Sequence, residues 1–224
     1  MAFVGVYPSE LRDAAGPGWV PDDLGRLTTR MPSASVTDDR NLAPARLVAE
    51  MAEGDRRALA QLYDEFSGPV YSLAVRLLGD QAEAQDLVQE IFLQVWLTAG
   101  SYEPGRGTVF SWLVTLTRNR AIDRIRKRRR RAELLSEAAP DLQPAAPAGD
   151  GDSATALWFR ERAAAVQSAL AEVPPDQKQA IELAFFGGLT QQEIAARLNE
   201  PLGTIKARIR RGLLRLKDRL SARL

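Results

Sequence analysis

The stretch that decides the fold is Leu189-Thr190-Gln191-Gln192-Glu193-Ile194-Ala195-Ala196-Arg197-Leu198, followed by Asn199-Glu200-Pro201-Leu202-Gly203-Thr204-Ile205-Lys206-Ala207-Arg208-Ile209-Arg210. Thr190 followed three residues later by Glu193 is a capping box, which predicts that a helix begins there. Pro201 suits the first turn of a second helix, where its missing N–H costs nothing. A short helix, a tight turn and a basic helix form the arrangement that lays a helix in the major groove of DNA.

The second of these helices separates into an apolar and a basic face. The side expected to pack on the domain core carries Ile205, Ile209, Gly212, Leu216 and Leu220, and the opposite side carries Gly203, Ala207, Arg210 and Leu214. We expect Arg210 to read a guanine edge, because its guanidinium matches O6 and N7. The other predicted DNA-binding residues of this helix, most of them phosphate contacts, are Thr204, Lys206, Arg208 and Arg211. A solvated basic face is the alternative interpretation.

The net charge of +1 conceals two concentrated basic blocks. Residues 46–103 contain ten acidic and four basic side chains. By contrast, residues 118–131 contain nine basic and one acidic, and residues 206–224 contain eight basic and one acidic. Two separate positive blocks indicate two contacts with a polyanion. Two solvated helix faces are the simpler alternative.

The composition argues against several classes of function. The chain contains no cysteine, so it has neither disulfides nor thiolate metal sites. It also contains no histidine, which removes the usual general base and the commonest transition-metal ligand. We therefore expect no catalytic residues, no metal, no cofactor and no small-molecule substrate, with an enzyme built on carboxylates as a distant alternative. No apolar run approaches the roughly 20 residues that span a bilayer. Because a secretory signal pattern is also missing, we expect a cytoplasmic protein without membrane insertion.

Periodicity and composition divide the chain into four parts. Residues 1–45 are rich in Pro, Gly, Ser and Asp and predict a disordered N-terminal arm. Apolar residues then recur at three- and four-residue steps through a first domain, 46–131, in which Gly79-Asp80 separates two helices. Residues 132–154, rich in Pro, Ala and acidic residues, predict a flexible linker. Helical patterns resume in 155–224. The sequence thus predicts an all-α protein with two small helical domains joined by a flexible linker.

The helix predicted from Thr108 to about Arg130 combines basic side chains with aromatic residues at its start. This combination suits single-stranded or opened DNA, whose bases leave the stack. Asn119 is placed to read a base edge, and Asp123 to orient Arg120 or hold Arg126. Trp112, taken alone, is more often a core residue. The predicted DNA-binding residues of this helix are Trp112, Arg118, Asn119, Arg120, Asp123, Arg124, Arg126 and Lys127.

The helix predicted from Gln81 to about Ala99 has a polar, acidic face bordered by leucines. A metal pair formed by Asp86 and Glu90 is disfavoured, because such helical bundles place histidines beside the carboxylates. A protein-binding surface is the better account, with a solvated face as the alternative. The residues predicted to form this surface are Asp86, Gln89, Glu90 and Leu93.

These motifs, in this order, resemble the extracytoplasmic-function (ECF) class of bacterial RNA polymerase sigma factors across about residues 45–221. The stretch Asp86-Leu87-Val88-Gln89-Glu90-Ile91-Phe92-Leu93-Gln94-Val95-Trp96 resembles region 2.2 of that family, which docks on the clamp helices of the polymerase β′ subunit. The basic helix from Thr108 resembles the one that melts and reads the minus-ten element. Residues 189–216 resemble region 4, which reads the minus-thirty-five element, although Asn199-Glu200 stands where Gly-Val is common and Ala207 replaces a frequent Ser.

The resemblance implies a protein that binds core RNA polymerase and directs it to promoters to initiate transcription. The implied partners are core RNA polymerase, promoter DNA and an anti-sigma factor. The alternative is a helix-turn-helix transcriptional regulator with a helical protein-interaction domain. That alternative explains residues 155–224 equally well, but it leaves the basic block at 118–131 and the acidic helix without a role.

Overall fold

The computed structural model describes residues 39–134 and 154–221, and every regular element in these two ranges is helical. The first domain contains α1 (Asp39–Ala52), α2 (Arg56–Leu78), α3 (Gln81–Thr98) and α4 (Val109–Leu134), with 3-10 turns at Ala99–Ser101 and Pro104–Arg106. The second contains α5 (Ala154–Ala171), α6 (Pro175–Phe185), α7 (Gln191–Leu198) and α8 (Leu202–Ser221). The predicted all-α, two-domain fold is confirmed. The arm before residue 39 and the linker at 135–153 lie outside the described residues.

The first domain has a core to which all four of its helices contribute. Leu62 of α2, Leu87 and Ile91 of α3 and Leu113 of α4 have no exposed surface. Burying a side chain of this size stabilises the fold by about 1.5–3 kcal/mol. The apolar stripe of α4 is thereby held on α2 and α3, and its basic side chains lie around the periphery of this core.

The boundary between α2 and α3 forms as predicted. Gly79 has a left-handed φ of 73°, and its N–H donates to the carbonyl of Val75 at 2.8 Å, which ends α2. Asp80 accepts a hydrogen bond from the N–H of Glu83 at 2.8 Å and caps α3. Glycine at the end of one helix and aspartate at the start of the next thus divide the chain at this point.

Three predicted boundaries are corrected. The apolar pattern before Gly79 belongs to two helices, because Gly54 has a φ of 95° and Asp55 caps α2 by accepting from the N–H of Arg57. The first helix begins at Asp39, inside the range predicted as an arm. The basic helix, predicted to end at about Arg130, continues to Leu134.

Asn41 in α1 ties the start of the first domain to α4. Its Oδ1 accepts a hydrogen bond from the N–H of Val109 at 2.9 Å, and its Nδ2 donates to the hydroxyl of Tyr102 at 3.3 Å. The Tyr102 hydroxyl in turn donates to the carbonyl of Gly107 at 3.0 Å. The first N–H of α4 is therefore satisfied by a residue 68 positions earlier in the chain, beside the local cap from Thr108.

The second domain contains the predicted pair of helices. The capping box is present: the Thr190 N–H donates to Oε2 of Glu193 at 2.7 Å, and the Glu193 N–H donates to Oγ1 of Thr190 at 3.2 Å. Asn199 ends α7 in the left-handed conformation, with φ 52°. Ile194 of α7 and Ile205 of α8 are fully buried against α6. This packing fixes the angle at which α8 leaves the turn.

Replacing Asn41 by alanine should lower the free energy of unfolding of the chain by about 1–2 kcal/mol, the usual cost of losing a helix cap. Asn41→Asp should recover most of this loss, since its carboxylate accepts the same hydrogen bond and is favourable near a helix N-terminus. Urea unfolding followed by circular dichroism measures both.

Leu42→Ala is the matched control, because Leu42 is 55% exposed in the same helix. Equal stability of Asn41→Ala and Leu42→Ala would show that the long-range cap contributes nothing.

Candidate nucleic-acid interface

The basic helix α4 presents its charged side chains on three stripes around the buried one. The buried stripe contains Leu113, Thr117, Ala121 and Ile125. The other three stripes are named after their surroundings. They are the α3-facing stripe (Arg120, Arg124, Arg128), the covered stripe beside the second domain (Arg118, Ile122, Arg126, Arg129) and the outward stripe (Asn119, Asp123, Lys127, Arg130). Residues at three- and four-residue spacing share a face of a helix, so each stripe has one environment. The predicted minus-ten set is distributed over all three.

The α3-facing stripe is paired with α3. Arg120 donates from Nε to Oε1 of Gln94 at 3.1 Å. Arg124 donates to the Glu83 carbonyl at 2.8 Å and forms an ion pair with Glu90 at 2.8 Å. The Glu90 side chain is 55% exposed, so this pair is screened by solvent and contributes modestly to stability. Its effect is to hold Arg124 in place.

The covered stripe contacts the end of α6 and the loop between α6 and α7 in the second domain. Arg118 donates from Nη2 to the Ala184 carbonyl at 2.7 Å and from Nε to the Phe185 carbonyl at 3.2 Å. Arg126 donates from Nε and Nη2 to the Gly188 carbonyl at 3.3 and 3.2 Å. Burial lowers the pKa of Arg118 below its ordinary value, and the nearby charge of Arg126 lowers it further. The Arg118 guanidinium nevertheless stays charged, because arginine is not deprotonated in proteins.

Glu193 joins this contact while capping α7. Its carboxylate forms an ion pair with Arg129 of the covered stripe. Partial burial raises the pKa of Glu193, but hydrogen bonds from Thr190 and the charge of Arg129 outweigh that effect, so the net pKa is lowered. Glu193 is therefore an anion that serves both domains.

The outward stripe lies toward solvent, whereas Trp112 packs on a neighbouring aromatic ring. Asp123 and Lys127 are exposed, and Asn119 is half-buried beside them. Trp112 is half-buried and packs on Tyr102, with ring centroids 5.3 Å apart. Within the predicted minus-ten set, the outward stripe thus presents its polar side chains to solvent, whereas Arg118, Arg120, Arg124 and Arg126 are each held by a neighbour.

Helix α3 exposes a narrow face with two leucines. Asp86 and Gln89 are exposed, and Leu93 follows on the same side at 60% exposure. Leu97, one turn further on, is 70% exposed and lies outside the predicted set, although its four-residue spacing from Leu93 is visible in the sequence. Exposed leucines in such a row are typical of a protein-binding surface. We call Asp86, Gln89, Leu93 and Leu97 the α3 face.

Helix α8 has the two faces predicted for it. Ile205, Ile209 and Gly212 are buried. A shallow concave surface on the opposite side is lined by Gly203, Lys206, Ala207, Arg210, Arg211 and Leu214. Lys206, Arg210 and Arg211 are exposed there, and Thr204 is half-buried near the start of the helix. An exposed row of donors on a helix of this length is suited to the major groove.

Arg208, predicted to bind a phosphate, is paired with carboxylates of its own domain. Its guanidinium forms ion pairs with Asp176 of α6 at 3.1 Å and with Glu200 in the turn before α8 at 2.9 Å. Only 19% of its side-chain surface is exposed. Since its donors are directed at two carboxylates inside the domain, Arg208 holds the turn in place and is not part of the exposed donor row.

Two negative observations apply to the described residues. Within 39–134 and 154–221, no three Asp or Glu side chains come together in a group that could hold a metal ion. In the same ranges, no helix combines the length and the apolar character of a membrane span.

Comparison with known proteins gives two family matches. The model of Sigma-70 region 2 matches residues 62–131, and that of Sigma-70, region 4 matches residues 163–216. The ECF RNA polymerase sigma factor SigK of Mycobacterium sp. (strain KMS) is 37% identical over 174 residues, which cover 77% of this chain and 88% of that protein. SigK of Mycobacterium ulcerans (strain Agy99) is 37% identical over 186 residues, covering 83% and 96%.

Among solved structures, Rhodobacter sphaeroides SigE in complex with the anti-sigma ChrR is 30% identical to this chain. The match has a TM-score of 0.41 and covers 79% of this chain and 98% of that one. The two family models cover α4 as far as residue 131 and α8 as far as residue 216, and the SigK relatives extend the match across both domains. The chain belongs to the ECF RNA polymerase sigma factor family.

Proposed function

We propose that this sigma factor divides promoter recognition between its two basic helices, with α8 reading the minus-thirty-five element and α4 the minus-ten element. The observation that carries the proposal is the exposed donor row of α8, directly opposite the buried Ile205 and Ile209. A helix that is fixed by one face and presents cationic donors on the other can enter the major groove without rearranging.

Within α8, Arg210 is the residue that reads sequence. It is exposed and lines the concave surface, so its guanidinium can reach O6 and N7 of a guanine. Lys206 and Arg211 flank it and bind phosphates, which adds affinity without sequence preference. Thr204, near the first turn, adds a further hydrogen bond to the DNA backbone.

Within α4, the outward stripe makes the first contact with opened DNA. Asn119 binds a base edge, Lys127 binds a phosphate, and Asp123 orients neighbouring donors. Arg120 and Arg124 act from the α3-facing stripe, and Trp112 offers a ring for stacking at the start of the helix. Arg118 and Arg126 complete the set from the covered stripe.

The α3 face is proposed as the surface that docks on the β′ clamp helices of core RNA polymerase. Its exposed leucines supply apolar area, and Asp86 and Gln89 supply polar contacts at the margin. Glu90 lies at the edge of this face and keeps Arg124 in position. Family membership adds an anti-sigma factor as a further partner. The proposed role requires the chain to bind its partners and not to catalyse a reaction. We expect the protein to act in the cytoplasm, together with the polymerase.

Asp86→Lys should sharply weaken binding to core RNA polymerase. It replaces an attraction to basic groups on the polymerase by like-charge repulsion, which costs several kcal/mol at an interface. The variant should unfold within about 0.5 kcal/mol of wild type, because Asp86 is exposed. A fluorescence titration with core polymerase and a thermal melt provide the two measurements.

The matched control is Asp64→Lys, the same charge reversal at an exposed position of α2. If Asp86→Lys binds polymerase as tightly as Asp64→Lys does, the α3 face is a solvated surface and the docking assignment is wrong.

Arg210→Ala should change the ranking of minus-thirty-five sequences, because a bidentate arginine–guanine contact discriminates between bases by about 1–3 kcal/mol. Lys206→Ala should weaken all promoters to a similar extent. Neither change should lower the melting temperature, since both side chains are exposed. Run-off transcription from a promoter library with core polymerase measures the ranking.

Arg208→Ala separates the structural from the DNA-binding arginines. It leaves the carboxylates of Asp176 and Glu200 without their shared cation, so the second domain should melt at a lower temperature while the promoter ranking stays unchanged. An unaltered ranking for Arg210→Ala, or a wild-type melt for Arg208→Ala, would reverse these assignments.

A further inference from the structure

The covered stripe of α4 is occupied by the chain's own second domain. The occupying segment comprises the last two residues of α6 and the loop that follows, residues 184–190, which we call the α6–α7 loop. Carbonyls at the end of α6 and in this loop accept hydrogen bonds from Arg118 and Arg126, and Glu193 just beyond it pairs with Arg129. Three arginines of one stripe are therefore bound by acceptors from one short segment.

The fit of this loop on α4 depends on a glycine. Gly188 is buried, with a left-handed φ of 61°. A Cβ at this position would lie 2.7 Å from Cδ1 and 2.9 Å from Cγ2 of Ile122, closer than carbon atoms approach without contact strain. Only a residue without a side chain lets the Gly188 backbone lie against Ile122 and reach Arg126.

Aromatic residues extend the contact into the core of the first domain. Phe186 packs against that core, and the guanidinium of Arg76 lies 4.5 Å from its ring centroid. Phe185 lies under the guanidinium of Arg118 at 5.0 Å. Cation–π contacts of partly desolvated arginines are favourable, so the contact combines apolar burial with polar pairing.

This arrangement is incompatible with binding both promoter elements at once. The minus-ten and minus-thirty-five elements are about 25 base pairs apart, or about 85 Å along B-DNA. The loop contacts α4 directly, and α7, the eight-residue helix that separates it from α8, is only about 12 Å long. The start of α8 is thus held close to α4, far short of the required span.

We propose that the α6–α7 loop is an intramolecular mask, which binds the covered stripe in the free protein and must leave before Arg118 and Arg126 can bind promoter DNA. The effect of the mask on promoter binding rests on the proposed function, because it assumes that these arginines bind DNA. The mask itself is a property of the free chain. It makes promoter binding conditional on separating the two domains, an event that docking on polymerase drives.

The mask can be tested without DNA by arginine modification. In the free wild-type protein, phenylglyoxal should modify Arg118 and Arg126 several-fold more slowly than the exposed Arg210, as measured by mass spectrometry. Gly188→Ala inserts a methyl group against Ile122 and should increase the modification rates of both arginines and the affinity for single-stranded DNA.

The matched control for this variant is Gly79→Ala. Gly79 has a similar left-handed φ of 73°, but nothing lies within 4 Å of an added Cβ. Both substitutions carry the same backbone strain, and only one wedges the domains apart. Equal protection of the two arginines in Gly188→Ala and Gly79→Ala would overturn the mask.

A reversible disulfide between the two domains tests whether the mask prevents promoter binding. The chain has no cysteine, so Ile122→Cys with Gly188→Cys creates one defined pair. An added Cβ at Gly188 lies 3.5 Å from Cγ1 of Ile122, which places the two Cβ atoms near the roughly 3.5–4.5 Å of a disulfide. Oxidation should reduce run-off transcription with core polymerase at least about tenfold, because apparent affinity falls with the competent fraction. Dithiothreitol should restore it.

The single variants Ile122→Cys and Gly188→Cys, treated with the same oxidant, control for oxidation of the polymerase. A disulfide that does not form in the folded protein, or a locked protein that transcribes as fast as its reduced form, overturns the proposal. If the reduced double variant and the wild type both fail to direct transcription, the proposed function is wrong. In that case the protection of Arg118 and Arg126 still decides whether the mask exists.

Discussion

The concentrated positive charge of α4 is the constraint on which the arrangement of the other helices depends. Nine cationic side chains lie within residues 118–131, and each pair of like charges at about 4 Å repels by about 1 kcal/mol even in water. The protein distributes them around the helix and provides acceptors on two sides. Helix α3 supplies carboxylates and an amide to one stripe, and the second domain supplies carbonyls and Glu193 to another.

The positions of the helices could be predicted from local chemistry, whereas the roles of individual arginines could not. The capping box at Thr190 and the break at Gly79 depend on neighbours within four residues, and both form as expected. Arg208 and Arg210 are both basic residues of the same short stretch. Periodicity places Arg210 on the outward side of α8, but only the tertiary positions of two carboxylates show that Arg208 is paired inside the domain.

The remaining differences between prediction and structure have one long-range and one local cause. The cap that Asn41 provides to α4 spans 68 residues, so no local pattern indicates that the chain is already helical at Asp39. The break at Gly54 is local, because a left-handed glycine is followed by the capping Asp55, but the apolar spacing continues on both sides of it.

The unusual residues of the helix-turn-helix have physical explanations in their contacts. Asn199 stands where glycine is common, at a left-handed position that asparagine tolerates, and the next residue, Glu200, forms an ion pair with Arg208. Gly212 permits close packing, since a Cβ there would lie 2.6 Å from Cδ1 of Ile181 in α6. Glu200 and Gly212 make these contacts on the inner side of the domain, away from the outward donor row of α8.

The acceptors that bind the covered stripe also determine how readily DNA can displace the α6–α7 loop from it. Carbonyl oxygens orient Arg118 and Arg126 without neutralising them, so the positive potential of α4 persists while the loop is bound. A phosphate oxygen carries a full charge and forms the stronger, charge-assisted hydrogen bond with a guanidinium. The mask therefore holds Arg118 and Arg126 with weaker acceptors than the phosphates that replace it. A contact of this kind holds the two domains together in the free protein. It is displaced once polymerase brings promoter DNA within reach of α4.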